Sequence, residues 1–150
     1  MIRIKHAGPV PRLPGVVFPL LADPPTQLDW DEDLRSVSRL DGGDVTIGSR
    51  FKVKIKGLGK ATCEVVEYQP DTQFAYFANS SFGTLRHTFT LSAERGGTWL
   101  VQTGEFEPNR VGGLIRRRLR RRIQARFDAL LRALADYLSP PSDLAASKRF

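Results

Sequence analysis

The last long segment of the chain, Pro108 to Leu138, constrains the fold most because its apolar residues form one helical stripe. They recur at spacings of three and four residues, which places them on one face of an amphipathic helix: Ile115, Leu119, Ile123, Phe127, Leu130, Leu131, Leu134 and Leu138. Pro108 suits a first helical turn, whereas Gly112 and Gly113 weaken the turns that follow, so the firm part is expected near Leu114. A helix of about thirty residues spans roughly 45 Å and would cross a whole sheet.

The segment Arg35 to Glu107 has a different pattern, in which apolar and polar residues alternate with period two. This alternation is typical of antiparallel strands with one covered face, and five or six strands fit the segment. In the clearest strand, Ser49 to Lys56, one face is apolar and the other carries lysines that we expect to be solvated: Lys52, Lys54 and Lys56. One-faced strands and a one-striped helix must bury those faces against each other, which predicts a two-layer α+β fold.

The sequence of the N-terminal third predicts shorter strands and helices. Met1 to Arg12 fits a strand that is short or lies at a sheet edge, because prolines interrupt it. Leu13 to Ala22 predicts one short helix, bent at Pro19. The acidic stretch Gln27 to Leu34 surrounds Trp30, whose ring we expect to be buried while the charged neighbours stay in water.

Length and composition predict one domain over residues 1–138 and a loose tail over residues 139–150. Residues 1–107 carry 12 basic and 13 acidic side chains and residues 108–150 carry 11 and 3, so the basic character belongs to the last helix and the tail.

No apolar run approaches the roughly 20 residues of a membrane span, and the start does not resemble a signal peptide. A single cysteine, Cys63, agrees with a reducing compartment, and we expect a cytoplasmic location.

Few residues predict catalysis or cofactor binding. The chain has two histidines, His6 and His87, no metal-ligand spacing, no phosphate-binding glycine loop and no serine elbow motif. We therefore expect neither a metal nor a cofactor. Whether the protein is an enzyme stays open at this point.

Local motifs and their order resemble the START-like, or SRPBCC, superfamily, in particular its polyketide cyclase/dehydrase and lipid-transport branch. The motifs are VVFPLLADP at 16–24, Trp30, GSRFKVKI at 48–55, VVEYQPDTQFAY at 65–76, HTFTLSAERGGTWL at 87–100 and the final helix. The resemblance implies a helix-grip fold, in which a curved antiparallel sheet wraps around a long C-terminal helix, with short helices near the N-terminus. It also implies a cavity for a hydrophobic small molecule, lipid or polyketide-like, or alternatively a polyketide aromatase/cyclase or dehydratase that uses the same cavity.

The residues expected to bind the ligand lie on the strands and on the final helix: Trp30, Phe51, Val53, Phe74, Tyr76, His87, Phe89, Arg116, Leu119 and Ile123. His87 alternates with apolar residues and is the candidate acid–base residue, although a core histidine with a local hydrogen bond is the alternative reading. The strand Thr98 to Phe106 has Thr103 and Glu105 on one face and Gln102 on the other. Sequence alone leaves open which face lines the cavity.

The run of arginines at 116–122 has three readings. Arg117, Arg118 and Arg121 fall opposite the apolar stripe, where they either coat solvent or contact an anionic surface, of membrane or nucleic acid. No aromatic residue interleaves the run, so specific nucleic-acid recognition is not expected. Arg116 falls inside the apolar arc and would reach the cavity mouth to pair with a ligand carboxylate or phosphate. The oligomeric state does not follow from the sequence.

Overall fold

A computed structural model describes residues 1–139 of the chain and shows a seven-stranded antiparallel sheet packed against one long helix. The strands run in the spatial order β1-β7-β6-β5-β4-β3-β2. The elements are β1 (Ile2–Val10), α1 (Pro14–Leu21), α2 (Pro24–Gln27), β2 (Leu34–Arg39), β3 (Arg50–Ile55), β4 (Gly59–Gln69), β5 (Gln73–Ser80), β6 (Gly83–Glu94), β7 (Gly97–Pro108), α3 (Arg110–Leu114) and α4 (Arg116–Tyr137). The α+β prediction is confirmed.

The sheet has one buried and one exposed face, as the period-two alternation predicts. In β3, Phe51 and Val53 are buried while the lysines between them are exposed. The register shifts between Leu34 and Ser36 and again between Val65 and Glu67. Such irregularities bend strands and increase their twist, which helps to curve the sheet around the helix.

Of the two alternatives predicted for β1, a short strand or an edge strand, the edge position is confirmed. The strand has nine residues and pairs with β7 along its whole length, including Pro9 opposite Trp99. A proline has no N–H to donate, and an edge strand leaves half of its backbone groups unpaired in any case. Proline therefore marks the edge here without ending the strand.

The single short helix predicted over Leu13 to Ala22 is present as α1, and a second short helix lies beyond that segment. The first helix, α1, begins at Pro14 and contains Pro19, and the separate short helix α2 follows from Pro24. Both helices begin with proline, which fits a first turn because its missing N–H would be unpaired there.

The predicted thirty-residue helix is divided and does not begin at Pro108, whereas its firm part, expected near Leu114, begins at Arg116. Pro108 is the last residue of β7, and the Asn109 side chain caps α3 by accepting a hydrogen bond from the Gly112 N–H at 2.9 Å. After α3 the helical conformation is interrupted at Ile115, and α4 then continues for 22 residues. A Cβ at Gly112 would lie 2.0 Å from the Phe82 carbonyl oxygen, so glycine permits this close approach. No helix among residues 1–139 has the length and apolarity needed to cross a membrane.

The apolar stripe of α4 is buried against the sheet, and its contact with β1 and β7 is very close. A Cβ at Gly8 would lie 2.4 Å from Leu131 Cδ2, and a Cβ at Gly104 would lie 2.7 Å from Phe127 Cζ. Two glycines therefore let the helix rest directly on this side of the sheet. The tail predicted for residues 139–150 lies, apart from Ser139, outside the described residues.

Candidate ligand-binding site

Two small cavities lie between α4 and the strands β3 to β5, on the side of the helix away from β1. The larger has a volume of about 60 Å³ and the smaller about 40 Å³. Residues found only around the larger cavity are mostly small or aliphatic, and include Ala61, Ala78, Leu85, Leu119 and Ile123. The smaller cavity reaches α1 and α2 and is lined by Leu21, Gln27, Phe51 and Phe74. Both cavities are therefore mainly apolar.

A wall of shared residues separates the two cavities: Val53, Ile55, Cys63, Tyr76 and Arg126. Tyr76 and Arg126 are its polar members. Burial raises the pKa of the Cys63 thiol to about 12, so this side chain stays protonated.

A buried ion pair joins this wall to the segment before β2. Arg126 donates from Nη1 to Asp31 Oδ1 at 2.8 Å and from Nη2 to Asp31 Oδ2 at 2.5 Å. The two side chains are only 7% and 3% exposed. Asp31 also accepts from Gln27 Nε2 at 2.7 Å and from the Asp33 main-chain N–H at 3.3 Å. The carboxylate is therefore fully engaged, as a buried charge requires.

The pKa values of this pair reflect the competition between burial and pairing. Burial alone would raise the pKa of Asp31, but its hydrogen bonds and the charge of Arg126 outweigh that effect and lower it. Burial would likewise lower the pKa of Arg126, but the hydrogen bonds and charge of Asp31 raise it. Both groups are charged at neutral pH.

A chain of hydrogen bonds runs from the wall into the core. The Gln102 Nε2 donates to the Phe127 main-chain carbonyl at 2.9 Å, which turns Gln102 Oε1 toward His87 Nε2 at 3.0 Å. An amide oxygen only accepts, so His87 Nε2 must carry the proton and Nδ1 must be the acceptor. Tyr76 therefore donates its O–H to His87 Nδ1, at 2.7 Å.

His87 is held in one position and one charge state. Its ring stacks between Phe89 and Phe127, with centroids 4.2 and 4.0 Å away. Burial lowers the pKa of His87 to about 3, against which the hydrogen bond to Gln102 acts only partly. Burial also raises the pKa of Tyr76. At neutral pH the chain is therefore a neutral imidazole that accepts from a protonated phenol.

The structure brings together most of the side chains predicted to bind a ligand, but not all. Those that line the larger cavity are Val53, Tyr76, His87, Leu119 and Ile123, and those that line the smaller one include Phe51 and Phe74. Phe89 packs behind His87 instead. Trp30 is buried in the core beyond both cavities, and its indole N–H has no hydrogen-bond partner among the described residues.

The position predicted for Arg116 needs correction. Its side chain is exposed and donates to the Met1 carbonyl at 3.4 Å, away from both cavities. Arg116 is the first residue of α4, and its side chain turns toward the start of the chain rather than along the buried stripe. The arginine that lines the cavities is Arg126, one turn from both Ile123 and Leu130 on the buried stripe.

Sequence reasoning missed Asp31 and Arg126 as a pair and left Gln102 undecided. An arginine at stripe spacing and an acidic stretch elsewhere were visible signals, but nothing local joins residues 95 positions apart. For β7, the structure places Leu100, Gln102 and Phe106 on the buried face and leaves Glu105 exposed.

One end of the larger cavity is bounded by two turns and by α4. Leu58 in the β3–β4 turn and Phe82 in the β5–β6 turn line the cavity there. Arg122 on α4 donates from Nη1 to the Gly57 carbonyl at 3.0 Å, which ties the helix to the first of these turns. We call this region the cavity end, defined by Gly57, Leu58, Phe82 and Arg122.

A curved antiparallel sheet around a long C-terminal helix defines a helix-grip protein, so this prediction is confirmed. The chain belongs to the polyketide cyclase/dehydrase and lipid transport family, whose family model matches residues 1–139. The resemblance seen in the sequence motifs is thus also confirmed.

Solved structures support the same fold. The Zhui aromatase/cyclase from a Streptomyces species superposes with a TM-score of 0.79 at 17% identity, covering 91% of this chain and 93% of that one. A protein from Thermus thermophilus gives 0.76 at 21% identity, covering 97% and 99%. CalU16 from Micromonospora echinospora gives 0.66 at 16% identity, covering 98% and 82%. No curated protein sequence matches this chain significantly.

Proposed function

We propose that this protein binds a hydrophobic small molecule, lipid or polyketide-like, between α4 and strands β3 to β5. The observation that carries the proposal is the lining of the larger cavity, which is apolar except for Ser80, Tyr76, His87 and Arg126. An apolar site with a few fixed polar groups gains affinity by removing ligand surface from water and orients the ligand through those groups. Membership in a family of cyclases, dehydrases and lipid-transport proteins supports the same ligand class.

The size of the cavities defines how a ligand would fit. Drug-sized ligands occupy sites of roughly 300–1,000 Å³, far more than the 60 and 40 Å³ found here. A ligand of that size needs more space than the two cavities offer together, so it would occupy both and displace Tyr76 and Arg126 in the wall between them. The polar groups of the wall then contact the middle of the ligand rather than its end.

Native mass spectrometry and a fluorescent fatty acid test this proposal. We expect a co-purified apolar ligand or saturable probe binding, and we expect Ala78→Leu, which fills the larger cavity, to weaken probe binding at least about tenfold. The matched control is Ala93→Leu, the same change at an exposed position of β6. Thermal melts establish that both variants fold. A ligand-free mass without probe binding, or equal binding by folded Ala78→Leu, would refute the proposal.

A second candidate function is polyketide cyclisation or dehydration in the same site. The observation that favours it is the Tyr76 hydroxyl, which lies on the cavity wall and is hydrogen-bonded to His87. Because its pKa is raised, the phenol stays protonated, and its single O–H can donate to a ligand carbonyl oxygen once it turns away from His87 Nδ1, which holds it in the free protein. This reassigns the acid–base contact predicted for His87 to Tyr76, with His87 behind it.

Turnover separates this candidate from simple binding. Tyr76→Phe and His87→Ala should each lower cyclisation of a poly-β-ketone at least about a hundredfold, while Tyr76→Phe changes probe affinity no more than about threefold. Unchanged turnover in both variants would exclude this acid–base chemistry.

We also propose that Arg117, Arg118 and Arg121 contact an anionic surface. All three are exposed on the face of α4 opposite its buried stripe. We propose a cytoplasmic location as well, because the free thiol of Cys63 suits a reducing compartment.

A further inference from the structure

The surface formed by α3 and the first two turns of α4, residues 110–122, concentrates positive charge. We call it the basic corner. It contains no acidic residue, and its exposed arginines are Arg110, Arg116, Arg117, Arg118, Arg120, Arg121 and Arg122. No ion pair found within residues 1–139 involves any of these seven. The corner therefore carries seven positive charges, none of them held in an ion pair by the described part of the protein.

Apolar side chains project from the same corner. Leu114 is 87% exposed, the most exposed large apolar side chain of the described residues, and Val111 is 53% exposed. Leu114 and Ile115 line one shallow depression together with Arg116, Arg117, Arg118 and Arg121. Apolar and basic groups thus form one continuous surface rather than two.

The exposure of Leu114 is fixed by the structure around it. The Asn109 main-chain N–H donates to the Phe82 carbonyl at 3.0 Å, and its side chain donates to the Ser81 carbonyl at 2.9 Å. Gly112 is buried directly against the Phe82 carbonyl. Because one side of α3 is held on the β5–β6 turn in this way, Leu114 and Val111 are presented outward.

The basic corner adjoins the cavity end. Phe82, on which α3 rests, lines the larger cavity, and so does Leu119 on the inner face of α4. Arg122, the last residue of the corner, holds the β3–β4 turn through the Gly57 carbonyl. A flat surface that contacts the corner would therefore lie beside the cavity end.

We propose that the basic corner docks on an anionic lipid bilayer. In this arrangement the arginines bind lipid phosphates and carboxylates, and Leu114 and Val111 enter the acyl boundary. Docking places the cavity end against the bilayer, so that an apolar ligand passes between bilayer and cavity without crossing water. The ligand transfer rests on the proposed function of the cavity, whereas docking rests on the anionic contact proposed for Arg117, Arg118 and Arg121 and names its partner.

The apolar residues favour a bilayer over nucleic acid. Phosphate contacts on a nucleic-acid duplex involve only the arginines. Leu114 stays in water in such a complex, so its side chain contributes no binding free energy. A bilayer removes that side chain from water as well as binding the charges. The corner also lacks an aromatic residue that would stack on bases.

Vesicle co-sedimentation tests the docking. We expect the protein to bind vesicles of phosphatidylcholine with phosphatidylserine, to bind phosphatidylcholine alone much more weakly, and to lose affinity as salt is raised. The variant R117S/R118S/R121S should bind anionic vesicles roughly 100-fold more weakly. Its matched control is K52S/K54S/K56S, which removes the same charge from exposed positions of β3 and the residue after it. That control should change affinity less than about threefold if location, and not net charge, matters.

A second pair of variants tests the apolar contact at constant charge. Leu114→Ser should weaken vesicle binding roughly tenfold. Ile47→Ser, at a large apolar side chain that is 61% exposed and lies just before β3 begins, should leave it unchanged. Equal binding to neutral vesicles, or full binding by Leu114→Ser, overturns the proposal. So does tighter binding to duplex DNA that Leu114→Ser does not weaken, because the surface would then be a nucleic-acid site.

The docking proposal and the cavity-binding proposal can be refuted independently of each other. Ala78→Leu should keep its affinity for anionic vesicles while losing the fatty-acid probe. Vesicle binding by a protein that never binds the probe would leave docking in place and refute the cavity function. Probe binding without vesicle association would do the reverse.

Discussion

The two sides of α4 meet the sheet in opposite ways. Toward β1 and β7, Gly8 and Gly104 leave no room for even a Cβ between the strands and the helix. Toward β3 to β5, small residues such as Ala61 and Ala78 line a cavity instead. Small side chains thus bring the helix close on one side and leave space on the other.

The difference shows where the cavity comes from. Because α4 rests directly on β1 and β7, its distance from the remaining strands is set by that contact and by the curvature of the sheet. On the open side, the Asp31–Arg126 pair links the helix to the segment before β2, and the Tyr76–His87–Gln102 chain connects β5 and β6 to the helix through β7, in place of continuous apolar packing. Three predictions test this contrast, from the largest expected effect to the smallest.

Asp31→Ala should have the largest effect, because it leaves Arg126 buried and unpaired. We expect the free energy of unfolding in urea to fall by about 3–5 kcal/mol. The double variant Asp31→Leu/Arg126→Met removes both charges and should recover most of this loss. A loss below about 1 kcal/mol for Asp31→Ala would mean that water reaches Arg126 and that this side is not dry.

The pH dependence of stability tests whether the open side excludes water at His87. Its pKa is about 3 when folded and 6.5 as the ordinary value, so the unfolded chain binds more protons between these limits and stability falls as pH falls through them. The slope for one such group is about 1.4 kcal/mol per pH unit, or roughly 3 kcal/mol from pH 6 to pH 4. Asp31, whose pKa is lowered, contributes its full stabilisation well above its ordinary value of 3.8 and loses it as pH falls below that value, so it adds to the slope only near pH 4.

His87→Gln provides the control for this slope, since glutamine does not titrate and can still hydrogen-bond. Urea unfolding at pH 6, 5 and 4 should show a shallower slope for the variant than for the wild type. Parallel slopes would show that His87 titrates normally in the folded protein and that the open side is wet.

Gly104→Ala and Ala78→Val compare the two sides directly. The new Cβ at position 104 would lie 2.7 Å from Phe127 Cζ and 3.0 Å from Cε2, so we expect a loss of about 1–2 kcal/mol. Ala78→Val adds more volume but places it in the cavity, and it should cost less than about 1 kcal/mol. If Ala78→Val were the more damaging change in urea unfolding, the two sides would not differ as described.

Much of the fold could be predicted from the sequence because periodicity reports which face of an element is buried. The stripe of α4 and the alternation of β3 depend on local spacing alone, and both are present as expected. The start of the helix could not be predicted from proline rules, since Pro108 fits the end of a strand as well as a first helical turn. What decided it was Asn109 and the close contact of Gly112 with Phe82, which is a tertiary effect.

The site was less predictable because its polar groups are joined across the fold. Tyr76 and His87 are opposite each other on neighbouring strands, yet the partner of His87 on the other side, Gln102, depended on a register that the sequence left open. Arg126 matches the spacing of the buried stripe, but it comes shortly after the exposed arginines in the sequence. What marks Arg126 as a buried arginine is its ion pair with Asp31.

Cys63 gives the protein a built-in reporter of opening. It is the one cysteine in the chain, it lies in the wall between the cavities, and its pKa of about 12 leaves about one thiolate in ten thousand at pH 8. A thiol reagent can therefore modify it only when the wall loosens and solvent enters. The labelling rate measures how often the interior becomes accessible. A bound ligand would lower this rate without any change to the sequence.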